Sequence, residues 1–342
     1  MSHFKKLRSL FRPLRSRFHH TGINVENADS NTGQKAIDQF ATPQPDITTI
    51  GDGQVSNSLP PDFRLRSAIT EPAIQTLYQQ YVERNISLVA LDEMIPRQDE
   101  IIANTIFKFF QRTADLRHVT IPELTSHVAK FRNVFLTSPY KNNNGGANFT
   151  TALNLFLIAR CLSPELIVEC GVFKGASSYI LKAACPNAQV IAFDPNLADL
   201  TYRTPEVTYH EHDWMGTNIS LKPTAIGLCY FDDHQDQATR VTQAHQRGFR
   251  NLIMDDSWPL ETPGCGWPPI PSIEMIINNW LKIGEKVRWI EDGMIWTFVQ
   301  TEETYRLINQ ARSLIKDAHD LPSLYRETGV APTSAGKYVE LV

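Results

Sequence analysis

The chain lacks most of what would tie it to a membrane, an oxidising compartment or nucleic acid. No apolar run approaches the roughly 18 residues that a membrane-spanning helix needs. No continuous apolar stretch follows the basic N-terminal residues, so they do not read as a secretory signal. The five cysteines, at 161, 170, 185, 229 and 265, form no Cys-x-x-Cys pair and no zinc-ligand spacing with histidine. An odd, scattered set of thiols suits a reducing compartment, and a cytoplasmic location is expected. Four of the five lie in apolar surroundings, where cysteine packs as a small buried side chain. The net charge of −4 over 342 residues argues against nucleic acid as a partner. No internal repeat is visible. The G-x-G-x-x-G of a dinucleotide site is also missing.

What is present starts with charge. Residues 1–22 carry Lys5, Lys6, Arg8, Arg12, Arg15 and Arg17 and no acid. This reads as a disordered basic tail; a segment touching a membrane surface and a transit-like peptide are the alternatives. Residues 23–60 are rich in Asn, Asp, Gln, Thr, Gly and Pro and read as a linker, so 1–60 is set apart from the rest of the chain. Residues 61–140 repeat apolar positions at three- and four-residue steps, as in AIQTLYQQYVERNISLVA and DEIIANTIFKFFQRTADL, which predicts a helical cap region.

After the breaker KNNNGGAN, residues 141–305 carry the main pattern. FTTALNLFLIARCL predicts an apolar helix. Strands are predicted at 166–170, 189–194, 207–212, 226–231 and 250–255, with helices at 176–185, 236–247 and 271–282 between them. Short, nearly all-apolar strands suit a parallel sheet covered on both faces. VRWI and MIWTFV, joined by Glu291-Asp292-Gly293, read as an antiparallel hairpin. The expected fold class is therefore α/β: a doubly wound, Rossmann-like, seven-stranded sheet with a terminal antiparallel hairpin, plus an N-terminal helical region. Residues 306–342 are expected to form a helix, TYRLINQARSLIKDAH, and a tail.

In open α/β sheets ligands sit beyond the carboxyl ends of the strands. Every predicted strand ends in acid here: Glu169 before Gly171, Asp194, Asp213 before Trp214, Asp232-Asp233 before His234, and Asp255-Asp256. One such acid is ordinarily a helix cap; five together read as a site. A pyrophosphate needs a glycine where its oxygens approach the backbone, and the chain has Phe173 there, with Ala176 at the third-glycine position. Acid-rich strand ends also repel polyphosphate. They suit a cationic ligand with a ribose and no phosphate, and S-adenosylmethionine answers that description. Gly171 and Gly175 would admit its methionine and ribose portions, Asp194 would accept both ribose hydroxyls, Asp213 would accept from the adenine amine, and Trp214 would pack on the ring.

The ordered set VECGVFKGASS, FDP, HDW, and the two later acidic strand ends resembles class I S-adenosylmethionine-dependent methyltransferases. Within them it is most similar to the macrocin-type sugar O-methyltransferases. The resemblance covers roughly residues 140–300. It implies that Glu169 and Ser177, which bracket the glycine turn, join the cofactor set. It also implies Asp233, Asp255 and Asp256 as ligands of a divalent metal, Mg²⁺ in the first instance, with His234 adjacent. The chain departs from the Asp-Gly-Asp of those relatives at strand four: aligned on the histidine, Phe231 replaces their first Asp and Asp232 their Gly. Either the ligand has moved to Asp232 or the metal has been lost.

Transfer of a methyl to oxygen requires that the hydroxyl lose its proton as it attacks. A base or a bound cation serves. His234 has the intrinsic pKa for a base, with Asp233 beside it; clustered carboxylates suit Mg²⁺. The expectation is a metal-assisted O-methyltransferase acting on a hydroxyl of a sugar, glycan or small metabolite. The alternatives are a metal-independent enzyme with His234 as base and a non-catalytic binding protein of the same fold. Trp258 and Trp267 are candidates to stack on a flat acceptor. A homo-oligomer stays open alongside a monomer.

Overall fold

The structure is a computed structural model that describes residues 95–140, 146–258, 269–291 and 294–342. The basic tail and linker, the first part of the helical region, residues 141–145 and the loop carrying Cys265 and Trp267 lie outside the described residues.

Three helices come first: α1 (Ile95–Phe110), α2 (Ile121–Leu136) and α3 (Phe149–Leu162). Asn148 starts α3 by accepting from the amides of Thr150 and Thr151, and Ser163 ends it in the left-handed conformation. Apart from Arg160 and Cys161 all of α3 is buried, as a helix that is apolar all round should be. A Phe131–Phe149–Phe156 cluster, with ring centroids 5.2 and 5.4 Å apart, joins α2 to α3. Aromatic pairs at such spacing add roughly 0.5–1.5 kcal/mol each beyond area burial.

The alternating part comes next: β1 (Leu166–Cys170), α4 (Ala176–Ala184), β2 (Gln189–Phe193), β3 (Val207–His210), a single 3-10 turn (Trp214–Gly216), β4 (Gly227–Phe231), α5 (Gln237–Gln246), β5 (Asn251–Met254) and α6 (Ile273–Asn278). The five predicted strands are all present and pair in parallel. Side chains alternate across the sheet as the pleat requires. Ile167, Val190, Leu228, Tyr230 and Ile253 pack toward α1–α4. Val168, Ile191, Cys229, Phe231 and Leu252 pack toward α5, α6 and the later helix Glu302–Leu314. Cys170, Cys185 and Cys229 are buried free thiols, and burial raises each of their pKa values.

The end of the chain departs from expectation. Residues 286–299 do form the predicted hairpin, β6 (Lys286–Glu291) with β7 (Met294–Val299), but it is a separate two-stranded sheet. The main sheet is completed by later residues: after α7 (Glu302–Leu314) come β8 (Ile315–Asp320), a short α8 (Tyr325–Thr328) and β9 (Lys337–Leu341). The strand order is β3-β2-β1-β4-β5-β9-β8. β9 runs antiparallel to both its neighbours, so the last strand is inserted between β5 and the edge strand β8. The sheet is thus doubly wound and seven-stranded with a terminal antiparallel pair, built from 315–320 and 337–341 rather than from 286–299. Residues 315–319, predicted to continue the last helix, leave it at Ile315.

The physical reason lies in how the two strands are composed. β8 is a polar edge strand, IKDAHD, with little apolar content. β9 is buried throughout yet contains two charges. Lys337 pairs with Glu274 at 2.5 Å and with Asp320, and Glu340 accepts from the amides of Ala114 and Asp115. Paired this way, a charge can occupy a central strand. No helix among the described residues is long and apolar enough to cross a membrane.

Candidate functional site

The turn after β1 is held from below. Glu169 is fully buried, and its two oxygens accept the hydroxyls of Ser177 and Ser178 at the start of α4. Burial pushes its carboxyl up to about 7, against the opposing effect of the two serine hydrogen bonds. Glu169 and Ser177, expected to face a cofactor, instead hold each other beneath the turn.

The glycines are required by packing. Gly171 has φ +96°, and a Cβ there would lie 2.2 Å from the backbone carbonyl oxygen of Asp232. The ends of β1 and β4 touch at this point, with the Asp232 amide donating to Cys170 at 2.8 Å. Gly175 has φ +91° and caps α4; a Cβ there would meet Leu200 at 2.6 Å and the Tyr140 hydroxyl at 2.7 Å. The space each missing side chain leaves is faced by protein atoms.

Asp194 is 8% exposed. One oxygen accepts the amides of Val172 and Phe173, both at 3.1 Å, and the other accepts that of Asn196 at 2.8 Å. A carboxylate offers about four acceptor positions. One is left, so the geometry has room for one ribose hydroxyl and not both.

Trp214 is completely buried. Its indole N–H donates to Gln243 at 3.0 Å, and its ring packs on Phe231 and Phe249. It has no face left for an adenine. Asp213 accepts the amide of Met215 at 2.8 Å and the Arg240 guanidinium at 2.6 Å, so both oxygens serve the fold. Asp233, expected as metal ligand and catalytic partner, lines the same pocket as His234 and Asp256; it also forms a buried ion pair with Arg240 and accepts from the Gln235 amide. Burial raises the Asp233 carboxyl, and Arg240 opposes that rise.

What the ends of β4 and β5 do bring together is Asp232, His234 and Asp256, whose donor atoms all lie within 4.8 Å of one another. They line a small pocket together with Asp233, Asp255, Gln237 and Pro269. His234 Nδ1 is 3.4 Å from Asp256 Oδ2, and the Trp258 indole donates to the other Asp256 oxygen at 3.2 Å. Both His234 and Asp256 have positive φ, 55° and 53°. Such backbone costs a non-glycine residue on the order of 1–3 kcal/mol and concentrates at functional sites. Here it swings two polar side chains into the pocket.

Asp255 sits behind this trio. It accepts the Tyr230 hydroxyl at 3.0 Å and the Ser334 hydroxyl, and its carbonyl accepts from Gln237. Tyr230 also lies 3.3 Å from Asp232. Burial first, then neighbouring carboxylates, raise the carboxyls of both Asp232 and Asp255. Clustered carboxylates starved of water hold a proton or a cation. Hard oxygens with one imidazole are a fitting donor set for a divalent ion. Asp236 takes the capping role, accepting from Thr239 at 2.8 Å.

Sequence reasoning missed Tyr230, Arg240 and Ser334. Tyr230 was accessible: it precedes Asp232 by two on a strand, hence on the same side. Arg240 is one arginine on a polar helix, and Ser334 lies far along the chain; neither carries a local signal.

No protein-family model matches the chain, and no curated protein matches it. Among solved structures it is similar to the O-methyltransferase TomG from Streptomyces achromogenes in complex with SAM, at 12% identity and a TM-score of 0.37, over 71% of this chain and 98% of that one. It is similar to an O-methyltransferase from Bacillus cereus in complex with SAH, at 11% identity and a TM-score of 0.35, over 70% and 99%. A third is CmcI with Mg and SAM, at 14% identity and a TM-score of 0.34, over 57% and 72%. Likeness this distant carries no argument about activity. The fold rests on the chain's own strand order.

Proposed function

We propose that the chain is an S-adenosylmethionine-dependent O-methyltransferase, assisted by a divalent metal and acting on a hydroxyl of a sugar or small metabolite. The observation that carries this reading is the Asp232–His234–Asp256 trio at the carboxyl ends of β4 and β5, beside the glycine turn after β1. A hydroxyl placed in that pocket meets a base and a carboxylate pair at once.

On this reading, the turn from Gly171 to Gly175 and the remaining acceptor of Asp194 hold the methyl donor, and the exposed ring of Phe173 borders it. The donor supplies an electrophilic methyl. Asp232 and Asp256 would hold the cation, which would supply Lewis-acid help with the hydroxyl's ionisation. His234 accepts the proton of the attacking hydroxyl, and Asp256, close to its Nδ1, orients the ring and stabilises the imidazolium. Tyr230 and Ser334 fix Asp255 behind them. The two strained residues, His234 and Asp256, place the base and its orienting group.

The same His234–Asp256 pair favours a second reading in which the base works without metal. Titration calorimetry with S-adenosylmethionine tests the common part: binding is expected, and absence of heat at millimolar ligand overturns both readings. Activity lost in EDTA and restored by Mg²⁺ or Mn²⁺ supports the metal; activity that persists in excess EDTA supports the base alone.

A further inference from the structure

A second group of ligating side chains lies away from the acid pocket, where β8 and β9 pair. Asp317 and His319 are two apart on β8 and so share a face. Asp317 stands opposite Glu340 on β9, and His319 opposite Tyr338. All three of Asp317, His319 and Glu340 place a donor atom within 4.8 Å of the others. Tyr338 belongs to the core on the α1–α4 side, and the Phe109 ring packs edge-on against both Tyr338 and His319 at 6.3 Å.

The arrangement is unbalanced as it stands. Two carboxylates directly across a ladder repel. Glu340 is 4% exposed, and its Oε1 accepts the amides of Ala114 and Asp115 at 2.8 and 3.3 Å. Asp317 Oδ1 accepts the amide of Ala318 at 2.8 Å. Among the described residues no lysine or arginine pairs with either carboxylate. His319 Nε2 lies 3.2 Å from Asp317 Oδ2, and this buried nitrogen makes no hydrogen bond. The two atoms are thus within ion-pair distance but outside hydrogen-bond geometry. Ligands of a tetrahedral zinc ion, each about 2.0–2.1 Å from the metal, stand roughly 3.3 Å apart.

We infer that Asp317, His319 and Glu340 form a second divalent-cation site, of the zinc class, with water as fourth ligand. The imidazole, together with three ligands rather than six, selects zinc-like ions over magnesium and calcium. The ion neutralises the opposed carboxylates. It also fastens the polar edge strand β8 to β9, and through Glu340 to the turn after α1. β8 has few apolar contacts to hold it otherwise. The site is independent of the methyltransferase reading.

The test uses the full chain, stripped of metal and titrated with ZnCl₂ by calorimetry. CoCl₂ in parallel reports a tetrahedral site through its visible absorption. Asp256→Asn removes the acid pocket as a competitor and is expected to keep one bound zinc. Adding His319→Gln or Asp317→Asn to that background should weaken zinc by more than tenfold, since even outer-sphere partners are worth about 10–100-fold. Asp317 is half exposed, so its variant keeps the test sound if the histidine variant fails to fold. The inference is overturned if the Asp256→Asn protein binds no zinc at micromolar concentration, or if zinc affinity is unchanged in both further variants.

Discussion

Arg240 holds Asp233 at the wall of the pocket and Asp213 beside it, and removing it has a calculable cost. Its side chain is 3% exposed and Asp233's is 8%, while its second partner Asp213 is 47% exposed. Burial works against the Arg240 charge, and Asp233 and Asp213 more than offset it. In Arg240→Met, Asp233 is left as a buried unpaired charge, which costs about 3–5 kcal/mol. Asp213 adds little, because exposed partners are worth about 0–1 kcal/mol. In Arg240→Met/Asp233→Asn no buried charge remains, so the double variant should recover about 2 kcal/mol or more of that loss. Equilibrium unfolding in urea, followed by circular dichroism and tryptophan fluorescence, measures all three proteins. Trp214 bonds Gln243, which Arg240 also contacts, so fluorescence reports locally. The reasoning is refuted if Arg240→Met costs less than about 1 kcal/mol or if the double variant is no more stable than the single one. A second readout bears on the site: Asp233→Asn should leave Mg²⁺ or Mn²⁺ affinity unchanged, whereas Asp256→Asn should abolish it.

Three other outcomes are expected. Glu169 has its carboxyl raised from 4.5 to about 7. Its contribution to stability is therefore full below about pH 4.5 and is lost as pH rises through about 7, a change of roughly 3 kcal/mol. Glu169→Gln should flatten the unfolding free energy across that window, and an unaltered pH profile would count against a buried neutral carboxyl. Gly171→Ala drives a Cβ into backbone and should prevent folding, while Gly284→Ala, also at positive φ but with nothing within 4 Å, should cost only about 1 kcal/mol; equal thermal stabilities would contradict the packing account. Deleting residues 337–342 removes β9 from between β5 and β8 and should yield insoluble or unfolded protein, whereas a dispensable tail would leave the circular dichroism spectrum intact.

Much of the architecture is legible in the sequence. Strands with long apolar runs and turn residues on either side, such as Leu166–Cys170 and Gly227–Phe231, announce themselves because burial on both faces demands a continuous apolar segment. β8 and β9 do not, since Lys337 and Glu340 are tolerated only through partners distant in sequence. The hairpin at 286–299 has the stronger local pattern and drew the edge of the sheet to itself. Local pattern decides that a segment is a strand; it does not decide which sheet the strand joins.

The acids at the strand ends show the same division. That each strand would end in a carboxylate, near one edge of a doubly wound sheet, came from the sequence alone, because the period of strands and helices brings all those ends together. Which carboxylates face a ligand was decided only in three dimensions. Arg240 arrives from α5 and pairs with Asp213 and Asp233, backbone amides claim three of the four acceptor positions of Asp194, and Ser177 and Ser178 claim Glu169. Positive φ at His234 and Asp256 turns those two outward with Asp232. A side chain's direction at the end of a strand depends on one backbone rotation and on which partner reaches it first, and neither is written in the residue's identity.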